Sequence, residues 1–270
     1  MNCEHLITTV ARVSRDMWDK GWIEANGGNI SVRLDDEEKA SLTEKAKGDW
    51  IDLPTEYPNL ENDVFLISGT GKFLRNIELA PLENLGFIRL SDKGSAYTIV
   101  GGFTKGGSPT SELFAHLGSH SSIKETGRRV VIHNHATNLI TLTLVEELTT
   151  KKLSKLLWQM QTESMFFFPK GIEFIPWLVP GSMEIGIETA KACQKRTLVL
   201  WQHHGIFATG KDPDEAMGRI HVAEKAAEIY LKAKAAGGIH SVISDGQLLA
   251  LAERFNLDYD KSILETETGL

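Results

Sequence analysis

The tripeptide His133-Asn134-His135, placed directly after the apolar run Val130-Val131-Ile132, constrains this chain more than any other feature. A short β-branched run reads as a buried strand. Residues two apart on a strand point to the same face, so both imidazoles project together from one strand end. A third histidine, His204, follows a second apolar run, Leu198-Val199-Leu200-Trp201, and precedes Gly205. Three neutral imidazoles arriving from strand ends suit a catalytic zinc that keeps open coordination positions. A lone His-x-His is more often incidental than a ligand pair, so His204 carries much of the argument.

The remaining composition narrows the class. A chain of 270 residues, 41% hydrophobic and 24% charged, can bury a sizeable core as a soluble globular protein. Its formal net charge of -7 argues against a broad nucleic-acid surface. An acidic protein binds a phosphate ester only locally, through backbone N–H groups, short polar side chains or a metal. Cys3 and Cys193 are the only cysteines and give no disulfide framework. No apolar run approaches about 18 residues and the N-terminus has no apolar signal core. The expectation is a cytoplasmic enzyme or binding protein.

Along the chain, Leu6, Ile7, Val10, Met17 and Trp18 predict an amphipathic helix over 4–20, ended by Gly21. Ile30, Val32 and Leu34 alternate as a half-buried strand. Residues 35–62 are polar and Pro-containing and read as a surface excursion. Strands follow at 64–67, 85–91 and 96–100, the last two as a hairpin around Asp92-Lys93-Gly94. Thr110 or Ser111 is placed to cap the helix carrying Leu113, Phe114 and Leu117. Helices are predicted at 137–148 and 151–161, strands at 165–168 and 172–175, and a helix from Pro180-Gly181-Ser182 to near Arg196. Residues 198–208 read as one strand ending the zinc constellation. Pro213 opens a long helix to about Lys234, a short helix covers 244–255, and the last residues read as frayed. No internal repeat or linker marks a second domain. Alternating strands and helices imply an α/β fold: a single domain, residues 1–270, with a central mixed, largely antiparallel sheet covered by helices.

Each motif has a bland reading beside its functional one. Glu112, at a helix start after a Gly/Ser/Pro loop, is by itself an ordinary first-turn carboxylate; beside a three-histidine metal it becomes a candidate ligand or general base. Asn26-Gly27-Gly28-Asn29 and Ser68-Gly69-Thr70-Gly71 are each an ordinary turn when taken alone. Together with a metal constellation they fit an anion site, although neither has P-loop or dinucleotide spacing. Lys72 could assist a phosphate, yet most loop lysines are only solvated. His203 reads as structural on the opposite strand face, and His5, His116, His120, His221 and His240 as structural or exposed. A cupin needs a Glu shortly after its His-x-His, where this chain has Leu139 and Ile140. A metal-dependent amidohydrolase spaces its ligands differently.

Several stretches in order along almost the whole chain resemble the class II aldolase/adducin-like family. They include Gly21-Trp22 with Asn26-Gly27-Gly28-Asn29, Ser68-Gly69-Thr70-Gly71-Lys72-Phe73, Pro109-Thr110-Ser111-Glu112-Leu113, and His133-Asn134-His135-Ala136-Thr137-Asn138-Leu139-Ile140. Thr162-Glu163, Pro176-Trp177-Leu178-Val179-Pro180-Gly181 and His204-Gly205 complete the set. The 35–62 excursion, the His-Ala-Thr-Asn-Leu-Ile run and the Pro-Trp-Leu-Val-Pro-Gly stretch look particular to the branch acting on rhamnulose phosphate. The resemblance implies reversible retro-aldol cleavage of L-rhamnulose 1-phosphate to dihydroxyacetone phosphate and L-lactaldehyde. It implies one Zn2+ per subunit on His133, His135 and His204, with Glu112 as the acid/base residue. Asn26, Gly28, Asn29, Ser68, Gly69, Thr110 and Ser111 would surround the phosphate and dihydroxyacetone portion. Glu163 would reach a neighbouring subunit's site in a homotetramer. Another sugar-phosphate aldolase, an epimerase or a dehydratase would use the same triad, whereas a non-catalytic adducin-like module need not retain it.

Overall fold

The computed structural model describes residues 2–43 and 48–265. In chain order its regular elements are α1 (Cys3–Asp19), β1 (Asn29–Arg33), α2 (Asp36–Ser41), β2 (Ile51–Asp52), β3 (Val64–Ser68), α3 (Pro81–Asn84), β4 (Leu85–Leu90), β5 (Ala96–Gly102) and α4 (Leu113–Ile123). There follow β6 (Val130–Asn134), α5 (Thr137–Val145), α6 (Thr150–Met160), α7 (Glu163–Phe167), β7 (Ile172–Ile175), α8 (Met183–Lys195), β8 (Leu198–Trp201), β9 (Gly205–Gly210), α9 (Pro213–Ala235) and α10 (Asp245–Arg254).

The nine strands form one sheet in the order β2-β5-β4-β3-β1-β6-β9-β8-β7. Every neighbouring pair is antiparallel except β7–β8, which is parallel. The expected mixed, largely antiparallel sheet is therefore present. Alternation along the central strands sorts their side chains into two buried layers. Ile30, Val32, Val130, Ile132, Leu198 and Leu200 pack with Leu6 and Val10 of α1, Leu139 of α5, Leu157 of α6 and Ile220 of α9. On the opposite face Val131, Val199, Trp201 and Phe207 pack with Ala115 of α4 and with Ile185 and Cys193 of α8. Phe65, Ile67 and Ile88 continue that layer beneath Leu113 and Leu117 of α4. Helices on both faces make three layers.

Four expectations are corrected. The β1 strand is not half-buried: its first four residues are buried on both faces, because His116 and His120 of α4 cover Ser31 on the side assigned to solvent. The 35–62 stretch is more than a surface excursion, although 44–47 lie outside the described residues. It contains α2, whose Glu38 is fully buried and accepts from Arg129 Nη1 at 2.7 Å and Nη2 at 3.0 Å, and β2, which adds an edge strand on β5. Residues 163–167 are a helix, with Met165 and Phe168 turned into the core. Residues 198–210 are a hairpin rather than one strand, with its turn at Gln202, His203 and His204. His203 supplies the left-handed conformation for that turn, with φ +58°. The frayed end assigned to the last residues lies outside the described residues beyond 265.

The far edge of the sheet is closed by side chains rather than by another strand. Ser154 Oγ accepts from the Ile172 amide at 2.9 Å, and Thr150 Oγ1 accepts from the Phe174 amide at 3.0 Å. Both hydroxyls come from α6, which lies along β7.

Candidate metal centre and its carboxylate

The β6 strand ends in the candidate ligands because of its register. His133 lies opposite Asn29 of β1 and Phe207 of β9. Asn134 turns to the other face, where its Nδ2 donates to Met17 Sδ at 3.4 Å. His135 follows just past the strand, its amide donating to Trp22 O at 2.7 Å. His204 comes from the β8–β9 turn. Each of the three rings offers one nitrogen, and these lie within 4.8 Å of one another. The expected triad is thus assembled within one chain, with His204 delivered by a hairpin turn.

Hydrogen bonds leave the correct nitrogens free. His133 Nδ1 donates to Ile206 O at 3.1 Å, so its Nε2 carries the lone pair. That Nε2 is buried and has no hydrogen-bond partner among the described residues. His135 Nδ1 donates to Glu24 Oε1 at 2.7 Å, which likewise leaves the lone pair on Nε2. Burial holds the His133 pKa well below its ordinary value, and the neighbouring His204 and His135 push the same way. Burial also lowers the His204 pKa, opposed by Glu112. Neutral imidazoles with unpaired, convergent nitrogens are what a divalent metal requires. An orphaned buried nitrogen costs free energy unless something binds it, so these residues fit a metal ion.

Two glycines allow the approach. A Cβ on Gly205 would sit 2.9 Å from His133 Cε1 and 3.1 Å from His135 Cδ2, and would also strike Asn134 O. Gly28 has φ +74°, and a Cβ there would lie 3.0 Å from His133 O.

Glu112 is buried beside the triad, with Oε2 3.9 Å from His133 Nε2 and Oε1 3.7 Å from His204 Nε2. It occupies the N-cap position of α4 without a side-chain cap bond, so neither Thr110 nor Ser111 caps that helix as expected. Thr110 Oγ1 instead accepts from the Glu112 amide at 3.3 Å. Asn29 Nδ2 donates to Glu112 Oε2 at 2.8 Å.

The small polar loops converge around this carboxylate. Ser68 Oγ accepts from the Ile30 amide at 3.1 Å, and the Thr110 amide donates to Ser68 O at 2.9 Å. Gly69 bridges Pro109, and the Thr70 amide donates to Ser108 O at 3.0 Å. Asn29, Ser68, Gly69 and Thr110 therefore meet in one region, while Asn26 and Ser111 stay exposed at its rim. Glu163 is not among them. It is exposed at the start of α7 and lines a separate cavity of about 500 Å³ with Lys20, Trp22 and His221. His135 and His204 open instead on a cleft of about 390 Å³ with Glu24 and His203.

Two features escaped the sequence reading. Glu24 orients His135, but a carboxylate two residues before Asn26 carries no spacing signal. The sequence places His116 and His120 among structural or exposed residues, yet both belong to a buried network that reaches Glu112. Their i, i+4 spacing on one helix face was the available signal.

The family model described as the Class II Aldolase and Adducin N-terminal domain matches residues 8–231. This chain belongs to the class II aldolase and adducin family. It is 45% identical over 260 residues to a rhamnulose-1-phosphate aldolase of Yersinia pseudotuberculosis serotype O:1b (strain IP 31758), covering 93% of each chain. The same identity and coverage hold for a rhamnulose-1-phosphate aldolase of Yersinia pestis (strain Pestoides F). Among solved structures, a sugar-phosphate aldolase from Thermotoga maritima superposes with a TM-score of 0.76 at 32% identity, covering 87% of this chain and 97% of that one. Class II aldolases are metal-dependent, which agrees with the triad built here.

Proposed function

We propose that this chain cleaves L-rhamnulose 1-phosphate reversibly to dihydroxyacetone phosphate and L-lactaldehyde. The observation that carries this reading is the 45% identity to rhamnulose-1-phosphate aldolases over 93% of the chain, joined to a triad with a buried carboxylate beside it. In our reading His133, His135 and His204 hold one Zn2+ per subunit. When bound, the ion supplies Lewis-acid stabilisation of the negative charge that C3–C4 cleavage leaves on the three-carbon fragment.

The chain's own groups do the rest. Glu112 is the acid/base: it returns a proton to C3 of the three-carbon fragment in cleavage and removes it in synthesis. Asn29 holds Glu112 Oε2, which leaves Oε1, 3.7 Å from His204 Nε2, to carry the proton. Asn26, Gly28, Asn29, Ser68, Gly69, Thr110 and Ser111 bind the phosphate and dihydroxyacetone portion, and so fix the orientation of the reacting end. Glu163 serves the aldehyde or its hydroxyl in a neighbouring subunit's site, which makes the working form a homotetramer. Its separation from the triad within one chain supports that assignment. The whole chain acts as one domain in the cytoplasm.

A coupled assay for dihydroxyacetone phosphate, run on L-rhamnulose 1-phosphate and L-fuculose 1-phosphate with and without chelator, tests this. Release from the first substrate, abolished by chelator and restored by Zn2+, is expected. Conversion of the sugar phosphate without release of the three-carbon fragment would replace the aldolase by an epimerase or dehydratase.

A further inference from the structure

Behind Glu112, starting from its partner Asn29, a line of polar groups crosses from β1 into α4. Asn29 Oδ1 accepts from His116 Nε2. His116 Nδ1 lies 2.6 Å from Ser31 Oγ, and Ser31 Oγ lies 2.7 Å from His120 Nε2. Asn29 and Ser31 share one face of β1, and His116 and His120 lie one turn apart on α4, so register and helix pitch together bring the four side chains into line. His116 and His120 are 0% exposed and Ser31 1%, so these side chains are shielded from bulk water.

One condition fixes every proton in this line. An ionised Glu112 can only accept, so Asn29 must present Nδ2–H to it and Oδ1 to His116. His116 must then carry its proton on Nε2 and accept on Nδ1. Ser31 must donate to that Nδ1 and accept from His120 Nε2–H. His120 Nδ1 is left as a bare lone pair, and that atom is buried with no hydrogen-bond partner among the described residues. Its ring lies 4.9 Å from the Phe65 ring. The unpaired nitrogen therefore stands at the end of the line farthest from Glu112. Both rings are neutral, since burial pushes the His116 pKa down to about 3 and holds that of His120 well below its ordinary value.

We infer that His116, Ser31 and His120 are positioning residues for Glu112: a one-way hydrogen-bond chain that keeps the Asn29 amide turned so that it donates to Oε2 and leaves Oε1 as the proton-carrying oxygen. The inference rests on the aldolase reading for the role of Glu112. Without the chain the amide can rotate and present its oxygen to the carboxylate, which repels Glu112 from its working rotamer. Removing a link therefore slows proton transfer at C3 while leaving the metal ligands in place; among the groups assigned to the substrate it reaches only Asn29.

The test follows wash-in of solvent deuterium at C3 of dihydroxyacetone phosphate, without aldehyde, by zinc-loaded protein. Steady-state cleavage of L-rhamnulose 1-phosphate and zinc content are measured on the same samples. Ser31→Ala and His116→Gln should each slow exchange and kcat about tenfold or more, with a smaller change in KM, carried by Asn29, and with zinc retained. Ser31→Thr restores the hydroxyl and should recover exchange to within about threefold of the parent. Ser154→Ala removes an equally buried, bonded hydroxyl at the far edge of the sheet; it should lower Tm and leave exchange unchanged. Parent-like exchange in both Ser31→Ala and His116→Gln overturns the chain, and so does a loss matched by lost zinc or by Ser154→Ala. A parent protein that neither exchanges nor cleaves overturns the aldolase reading instead.

Discussion

The triad of His133, His135 and His204 and the pair of His116 and His120 lie on either side of Asn29 and Glu112, and they put the same ring to opposite uses. The first group spends one nitrogen of His133 and one of His135 on an oxygen acceptor, and points its free nitrogens at a common point beside a cleft. The second group turns three of its four nitrogens onto Asn29 and Ser31, and both of its rings are buried. Burial lowers the pKa of members of both groups. The difference is therefore one of direction rather than of charge. A neutral imidazole becomes a metal ligand where its lone pair meets others, and a strut where it meets a hydroxyl.

The sharpest way to break this comparison is to remove the carboxylate between the two groups. Glu112→Gln should keep zinc by elemental analysis and lower kcat by about 10²–10⁴-fold, the range for a general acid–base group. Unchanged turnover would take the acid/base role from Glu112. On the triad side, His204→Ala should abolish stoichiometric zinc and with it cleavage; full metal retention would refute the three-ligand site. A milder probe is Glu24→Gln, which weakens the acceptor for His135 Nδ1. Loss of such an outer partner costs about 10–100-fold in metal affinity, measurable by competition with a chelating dye.

Smaller effects bear on shape and on charge. Gly205→Ala forces a methyl group against His133 and His135, and overpacking of this kind costs about 1–3 kcal/mol in denaturant titrations. The strut histidines give a pH signature. His116 has a folded pKa of about 3, against about 6.5 for an unperturbed histidine. The unfolded chain takes up that proton first, so the stability tied to the neutral ring is complete above about pH 6.5 and is lost as the pH falls toward 3. The slope is about 1.4 kcal/mol per pH unit for this one group. His116→Gln should flatten the fall of stability between pH 6.5 and 4, and an unchanged slope would show that other groups set it.

The parts of this arrangement differed in how far they could be read in advance. The triad was legible because His133 and His135 share a strand face and sit at its end, a regularity of period two. His204 was legible as a candidate ligand but not as a turn residue. The apolar pattern runs from Leu198 through Trp201 and resumes at Ile206, with no Pro or Asn between, so it reads as one strand. The turn is made by His203 in a left-handed conformation that is uncommon for any residue other than glycine. Residues 165–168 misled for a related reason. Three consecutive phenylalanines read as extended chain, and only packing of Met165 and Phe168 into the core under α6 and α9 selects a helix. The β1 strand misled most usefully. Its small polar residues, Asn29 and Ser31, read as a solvent face, yet a helix covers them and they form the link between the two histidine groups. A strand's polar face says that its partners are polar; it does not say that they are water.

The closed far edge of the sheet has a bearing on how copies of this chain can meet. With the outward amides of Ile172 and Phe174 already held by Ser154 and Thr150, β7 offers no free row of donors to a strand from another molecule. Copies cannot extend the sheet there, chain upon chain, into a continuous ribbon. Contact between them on that side must be made by side chains, a kind of contact that symmetry can close into a finite assembly.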